Sequence, residues 1–96
     1  MMRKNELTWE EVRKGFKYTP EEEAEIQIEA QLIEATVEAR KSNNLSQREL
    51  SLISGVMQPA IARIEKQSQS PRVSTLIKIL YPMGYTLKIV PLGEEK

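Results

Sequence analysis

Residues 46–65 read SQRELSLISGVMQPAIARIE, and this stretch decides the fold. Ser46 and Glu49 have the S-x-x-E spacing of a capping box. In that arrangement the hydroxyl accepts from the Glu49 N–H and the carboxylate accepts from the Ser46 N–H. Leu50 and Ile53 then fall on one helical face. Gly55 sits where the chain must turn sharply, and glycine takes a positive φ without steric cost. Val56 fills the turn. Pro59 is tolerated only in the first turn of a helix, so a second helix must start close to Met57. Ile61 and Ile64 give that helix an apolar face. Ser54, Ala60 and Ala62 are small enough to let the two helices cross closely.

Two short helices joined by a glycine turn are the layout of a helix-turn-helix, whose second helix enters the DNA major groove. The run resembles the Cro/phage-repressor, or Xre-type, helix-turn-helix family. The matching positions are Ser46, Gln47, Leu50, Ser51, Ser54, Gly55, Val56, Gln58, Ile61, Ala62, Ile64 and Glu65. Two positions depart from the family pattern. Met57 stands where Ser or Thr usually caps the second helix, which removes a cap worth about 0.5–2 kcal/mol. Gln67 stands where a helix-ending glycine is usual.

The 96-residue chain is short enough for one small domain with extensions. It has no cysteine and no histidine, so disulfides, thiolate chemistry and the usual general base are excluded. No metal-ligand cluster or phosphate-binding glycine loop is present, and no cofactor is expected. The reading is a non-enzyme. No apolar run approaches membrane-spanning length, which points to a cytoplasmic protein with no membrane or metal partner.

The net charge is zero, but it is unevenly spread. Between Tyr18 and Glu38 there are seven glutamates and no Lys or Arg. From Ala39 to Val90 eight basic residues face only Glu49 and Glu65, a net of +6. Basic charge local to a helix-turn-helix is what phosphate contact needs.

Before the motif, Thr8 can cap a short helix that Gly15 ends. Leu7, Trp9, Val12 and Phe16 are the apolar residues of an otherwise polar segment; the aromatics either fold back on the domain as a lid or anchor a partner protein, since Trp is enriched among interface hot spots. Thr19-Pro20-Glu21-Glu22 starts a helix expected to run to about Lys41. It carries two apolar stripes: Ile26, Ala30, Ile33 and Val37 on one face, Ile28, Leu32, Ala35 and Ala39 on the other. A helix with two stripes is covered on two sides. After the motif, a helix from about Val73 should turn Val73, Leu76, Ile77, Leu80 and Met83 inward and end at Gly84. Tyr85 to Val90 alternates and is β-branched, which predicts a strand. A lone strand needs a partner, most simply its own copy across a two-fold axis. Tyr85, Leu87, Ile89 and Val90 are the expected dimer contacts.

The whole layout resembles the HigA type of antitoxin. The shared features are W-E-E-V-R (Trp9 to Arg13), E-A-R (Glu38 to Arg40), G-V-x-Q-P-x-I-A-R-x-E (Gly55 to Glu65), Ser70-Pro71 and G-x-T-L-x-(I/V)-V-P (Gly84 to Pro91). The resemblance implies a homodimer that represses its own operon and neutralises a RelE/HigB-like mRNA-cleaving toxin. It also implies roles for residues. Ser46 and Gln47 would start the motif's first helix against a phosphate. Gln58 would read a base edge, with Pro59 beside it and Ala60 against a thymine methyl. Arg63, Lys66, Ser68 and Gln69 would reach bases or backbone of the operator. In the family register Leu32 and Ala39 face the helix-turn-helix. That leaves Trp9, Val12, Phe16, Ile26, Ala30, Ile33 and Val37 for the toxin.

The expected architecture is mainly α. It has an N-terminal segment over residues 1–18, a helical domain over 19–84 and a strand with tail over 85–96. A stand-alone Xre-type regulator without a toxin is the alternative, and it differs only before Ser42.

Overall fold

A computed structural model describes residues 18–93. Among the described residues there are four α-helices: α1 (Pro20–Ser42), α2 (Gln47–Ser54), α3 (Gln58–Glu65) and α4 (Val73–Leu80). A 3-10 turn, Tyr81–Met83, follows α4. The helix-turn-helix is α2 and α3. Trp9, Val12 and Phe16 lie outside the described residues.

Local chemistry sets the helix ends. Thr19 caps α1 and Ser46 caps α2, each in a complete capping box. Met57 gives α3 no side-chain cap, as its thioether predicts. Gly55 turns out of α2 at φ 77°. The end of α3 is less conventional. Gln67 adopts φ 60°, the left-handed conformation usually left to glycine. The Gln67 N–H donates to the Ile64 carbonyl (2.9 Å) and the Ser68 N–H to the Arg63 carbonyl (3.1 Å). That pair of bonds is a Schellman motif. Asn44 closes α1 the same way at φ 57°, where asparagine is better tolerated. A left-handed non-glycine residue costs about 1–2 kcal/mol. Gln67→Gly should therefore stabilise the domain by about 1 kcal/mol, after the entropy that glycine adds to the unfolded chain. Urea denaturation measures this, and a loss of stability would mean that Gln67 is not held left-handed.

The core is Ile33, Leu50, Ile61, Ile64 and Ile79, with Val37, Leu45, Val56 and Met83 packed against it. Several expectations change here. Ile33 is 3% exposed and Val37 packs on the same cluster, so the middle of the stripe assigned to a toxin faces its own domain. Thr36, which belongs to neither stripe, is buried and donates its hydroxyl to the Leu32 carbonyl. On α4 the inward side chains are Leu76, Ile79 and Leu80, while Val73 and Ile77 are exposed. Its apolar residues span an arc of about 160°, wider than the face that packs, and Val73 and Ile77 fall on the uncovered edge of that arc. Ile53 is half exposed, whereas Leu50 is completely buried.

Among the described residues there is no strand. Tyr85 to Val90 has no regular secondary structure, because a ladder needs a second chain segment and none lies alongside. Leu87 is half-buried, Tyr85 and Val90 are exposed, and Ile89 is 97% exposed.

Candidate nucleic-acid interface

Ile61 and Ile64 pin one side of α3 into the core. The opposite side carries Gln58, Pro59 and Arg63, all exposed, with Ala60 half-buried beside them. Lys66, Ser68 and Gln69 are exposed on the turn after the helix. The Arg63 Nε donates to the Gln69 Oε1 at 3.2 Å, and the Ser68 hydroxyl donates to the Arg63 carbonyl at 3.1 Å. Four of the nine expected DNA residues therefore occupy one helix face, and three more lie on the loop that continues it. Ser46 and Gln47 lie at the start of α2, where Gln47 meets the last residue of α3. The Ser46 hydroxyl accepts from the Glu49 N–H and so is engaged as a cap.

A partly buried ion pair that no local motif signals holds this face in place. The Arg40 guanidinium makes two parallel bonds to Glu65: Nε to Oε2 at 2.8 Å and Nη2 to Oε1 at 3.0 Å. Its Nη1 donates to the Leu45 carbonyl at 2.8 Å. The Gln47 Nε2 donates to Glu65 Oε1 at 2.9 Å. Arg40 on α1, the loop before α2, the first residue of α2 and the last residue of α3 are thus tied through one ion pair, the loop at the guanidinium and Gln47 at the carboxylate. The pair is nearly enclosed, at 13% and 10% side-chain exposure. Gln47, expected at a phosphate, has its amide N–H₂ turned to Glu65.

Burial alone would raise the Glu65 carboxyl's pKa. The hydrogen bonds from Arg40 and Gln47, with the charges of Arg40 and Lys41, outweigh burial and hold it below the ordinary glutamate value. The carboxylate stays ionised and bonded, which is the state that fixes the end of α3.

Beside the start of α3 lies a cleft of about 350 Å³, bounded by Met57, Ala60, Gln69, Arg72, Thr75 and Lys78 among others. Arg72 and Lys78 bring α4's positive charge next to the exposed face of α3. The +6 tally had counted these two residues without placing them.

This geometry has known counterparts. The helix-turn-helix family model matches residues 38–89, more than half the chain. The chain belongs to the helix-turn-helix family. A Haemophilus influenzae protein described as an uncharacterized HTH-type transcriptional regulator is 42% identical over 84 residues, spanning 88% of this chain and 85% of that one. A solved structure from a toxin–antitoxin module of Streptococcus pneumoniae is 37% identical, with a TM-score of 0.66 over 90% of this chain and 94% of that chain. As a helix-turn-helix protein of the Xre-like type, the chain is a DNA-binding transcriptional regulator, in a family that is typically non-enzymatic. No described helix is long and apolar enough to cross a membrane.

Proposed function

We propose that this helix-turn-helix protein is an antitoxin that represses its own operon as a homodimer and neutralises a RelE/HigB-like mRNA-cleaving toxin. The observation that carries the reading is the likeness to the Streptococcus pneumoniae toxin–antitoxin structure, at 37% identity and nearly full coverage of both chains. The seven glutamates between Tyr18 and Glu38 support it, since an acidic helix suits a basic, RNA-cleaving partner and repels DNA. In this reading α3 reads the operator. Gln58 contacts a base edge, Ala60 a thymine methyl, and Arg63, Lys66, Ser68 and Gln69 the strands beyond. Trp9, Val12, Phe16, Ile26 and Ala30 remain the toxin contacts, without Ile33 and Val37.

Expression of the neighbouring reading frame tests the toxin half of the proposal. That frame alone should arrest growth, and its co-expression with this chain should relieve the arrest with both proteins in one complex. A neighbour that neither arrests growth nor binds would leave a regulator acting without a toxin.

The dimer is proposed through Tyr85 to Val90. Ile89 and Leu92 are almost fully exposed in the single chain, and large apolar side chains on an extended tail are best covered by a second copy. Leu87→Pro removes a backbone donor from the ladder and should yield monomers. Sedimentation showing an unchanged dimer would place the interface elsewhere. A two-fold dimer implies an operator with inverted half-sites about 34–36 Å apart or a multiple of that.

A further inference from the structure

Among the described residues nothing covers the first turns of α1. Every residue from Thr19 to Ile28 is exposed, including Ile26 at 46% and Ile28 at 53%. Between α1 and the start of α4 lies an open groove of about 240 Å³. Ile28 and Leu32 form one wall, Pro71, Val73 and Leu76 the other, and Glu25 and Glu29 also line it. The Ser70 hydroxyl donates to Glu29 across one end, which ties the two walls together. The groove is apolar inside and acidic at its margin. Such a surface suits a segment that is apolar on one side and basic around it.

We propose that this groove is occupied by the chain's own N-terminal segment, Leu7 to Phe16. Its composition fits. Trp9, Val12 and Phe16 are spaced by three and four residues, so in a helix they share one face. Leu7 to Phe16 is itself neutral, with Arg13 and Lys14 against Glu10 and Glu11, and the flanking Arg3, Lys4 and Lys17 against Glu6 supply a net basic charge opposite in sign to the glutamates of α1. The reach also fits. Trp9 lies nine positions before Tyr18, a span of about 14 Å if helical and about 30 Å if extended. Ile28 lies about 12 Å along α1 from Pro20. A segment that turns back along α1 therefore brings Trp9 level with the groove. On the Ile26 side an aromatic would touch one helix, whereas in the groove it touches two. In the free protein the aromatic face is sheltered there, and any partner that takes Trp9 competes with the groove for it.

Trp9 is the chain's only tryptophan, so its fluorescence reports on this contact in the full-length protein. A synthetic peptide of residues 1–17 serves as the exposed reference. The full chain should show blue-shifted emission and several-fold weaker acrylamide quenching than the peptide, and neither should change on dilution. Ile28→Asp and Val73→Asp alter exposed positions. Either should return quenching to the peptide's value, with helicity by circular dichroism retained. Ile26→Asp should leave Trp9 protected. The proposal is overturned if Trp9 in the full chain is quenched like the peptide. It is also overturned if Ile26→Asp rather than Ile28→Asp releases the ring, or if protection is lost on dilution, which would mean that a second copy covers the groove.

Discussion

Glu65→Ala is expected to lower the stability of the domain by about 3 kcal/mol, because it leaves the Arg40 guanidinium nearly enclosed without its counter-charge. Both side chains are close to nine-tenths buried, so water cannot readily replace the lost carboxylate. Gln47 also loses its acceptor. Small domains have only about 5–15 kcal/mol in total, so this single change removes a large share. Changing both partners to apolar residues, Arg40→Met with Glu65→Leu, should cost less than the sum of the single changes, since no charge is then stranded. Denaturant midpoints of wild type, Arg40→Met, Glu65→Leu and the double variant give that comparison. A Glu65→Ala protein within about 0.5 kcal/mol of wild type, the range typical of surface substitutions, would mean that the pair is solvated.

The same carboxylate gives a pH dependence. Its folded-state pKa is depressed, so its contribution is complete above the unfolded glutamate value, about 4.3. That contribution is lost as pH falls through the lower folded value. Acid should therefore destabilise the wild type in this window more than it does Glu65→Gln.

Ile33→Ala is expected to cost about 2–5 kcal/mol, the range for emptying a well-packed core position. Ile33 is 3% exposed and packs with Leu50, Ile61, Ile64 and Ile79. Ile28→Ala, on the opposite stripe and 53% exposed, should cost far less. Thermal or urea unfolding distinguishes the two. If Ile33→Ala were as stable as wild type, α1 would be turned the other way, with the acidic helix presenting Ile33 outward.

That pair of residues marks where the sequence was readable and where it was not. The helix-turn-helix was legible because its signals are local: a capping box at Ser46, a turn glycine at Gly55, a proline near the start of α3 and two isoleucines three apart. Each needs only neighbouring residues to act. The rotation of α1 is not local. Its two apolar stripes are nearly equivalent in sequence, and Arg40 helps to choose between them. The guanidinium bonded to Glu65 and Leu45 points the Arg40 face at the domain. Ile33, Thr36 and Val37 lie seven, four and three residues earlier, on that same face. Nothing within α1 announces that Arg40 will meet a glutamate 25 residues later. The choice of face on α4 failed for a related reason, since a helix with apolar residues at 73, 76, 77, 79 and 80 takes its inward side from what it packs on. Gln67 shows the opposite case. Its departure from the family's glycine put the end of α3 in question, yet backbone hydrogen bonding holds the turn in the expected shape.

The exposed face of α3 was legible in outline. Gln58, Pro59 and Arg63 do point away from the core, because Ile61 and Ile64 fix the helix from the other side. Its supports were not legible, since Arg40, Gln47 and Glu65 are brought together only by the fold.

If α3 reads an operator, titration of the DNA upstream of this chain's own reading frame will show it. Wild type, Gln58→Ala and Lys66→Ala are compared over a range of salt concentrations. Gln58→Ala should weaken binding by about 1–3 kcal/mol and relax the preference at one base pair of each half-site. Lys66→Ala should weaken all sequences alike and reduce the salt slope by about 1. If both variants bind with wild-type affinity, sequence preference and salt slope, α3 is not the helix that reads the DNA.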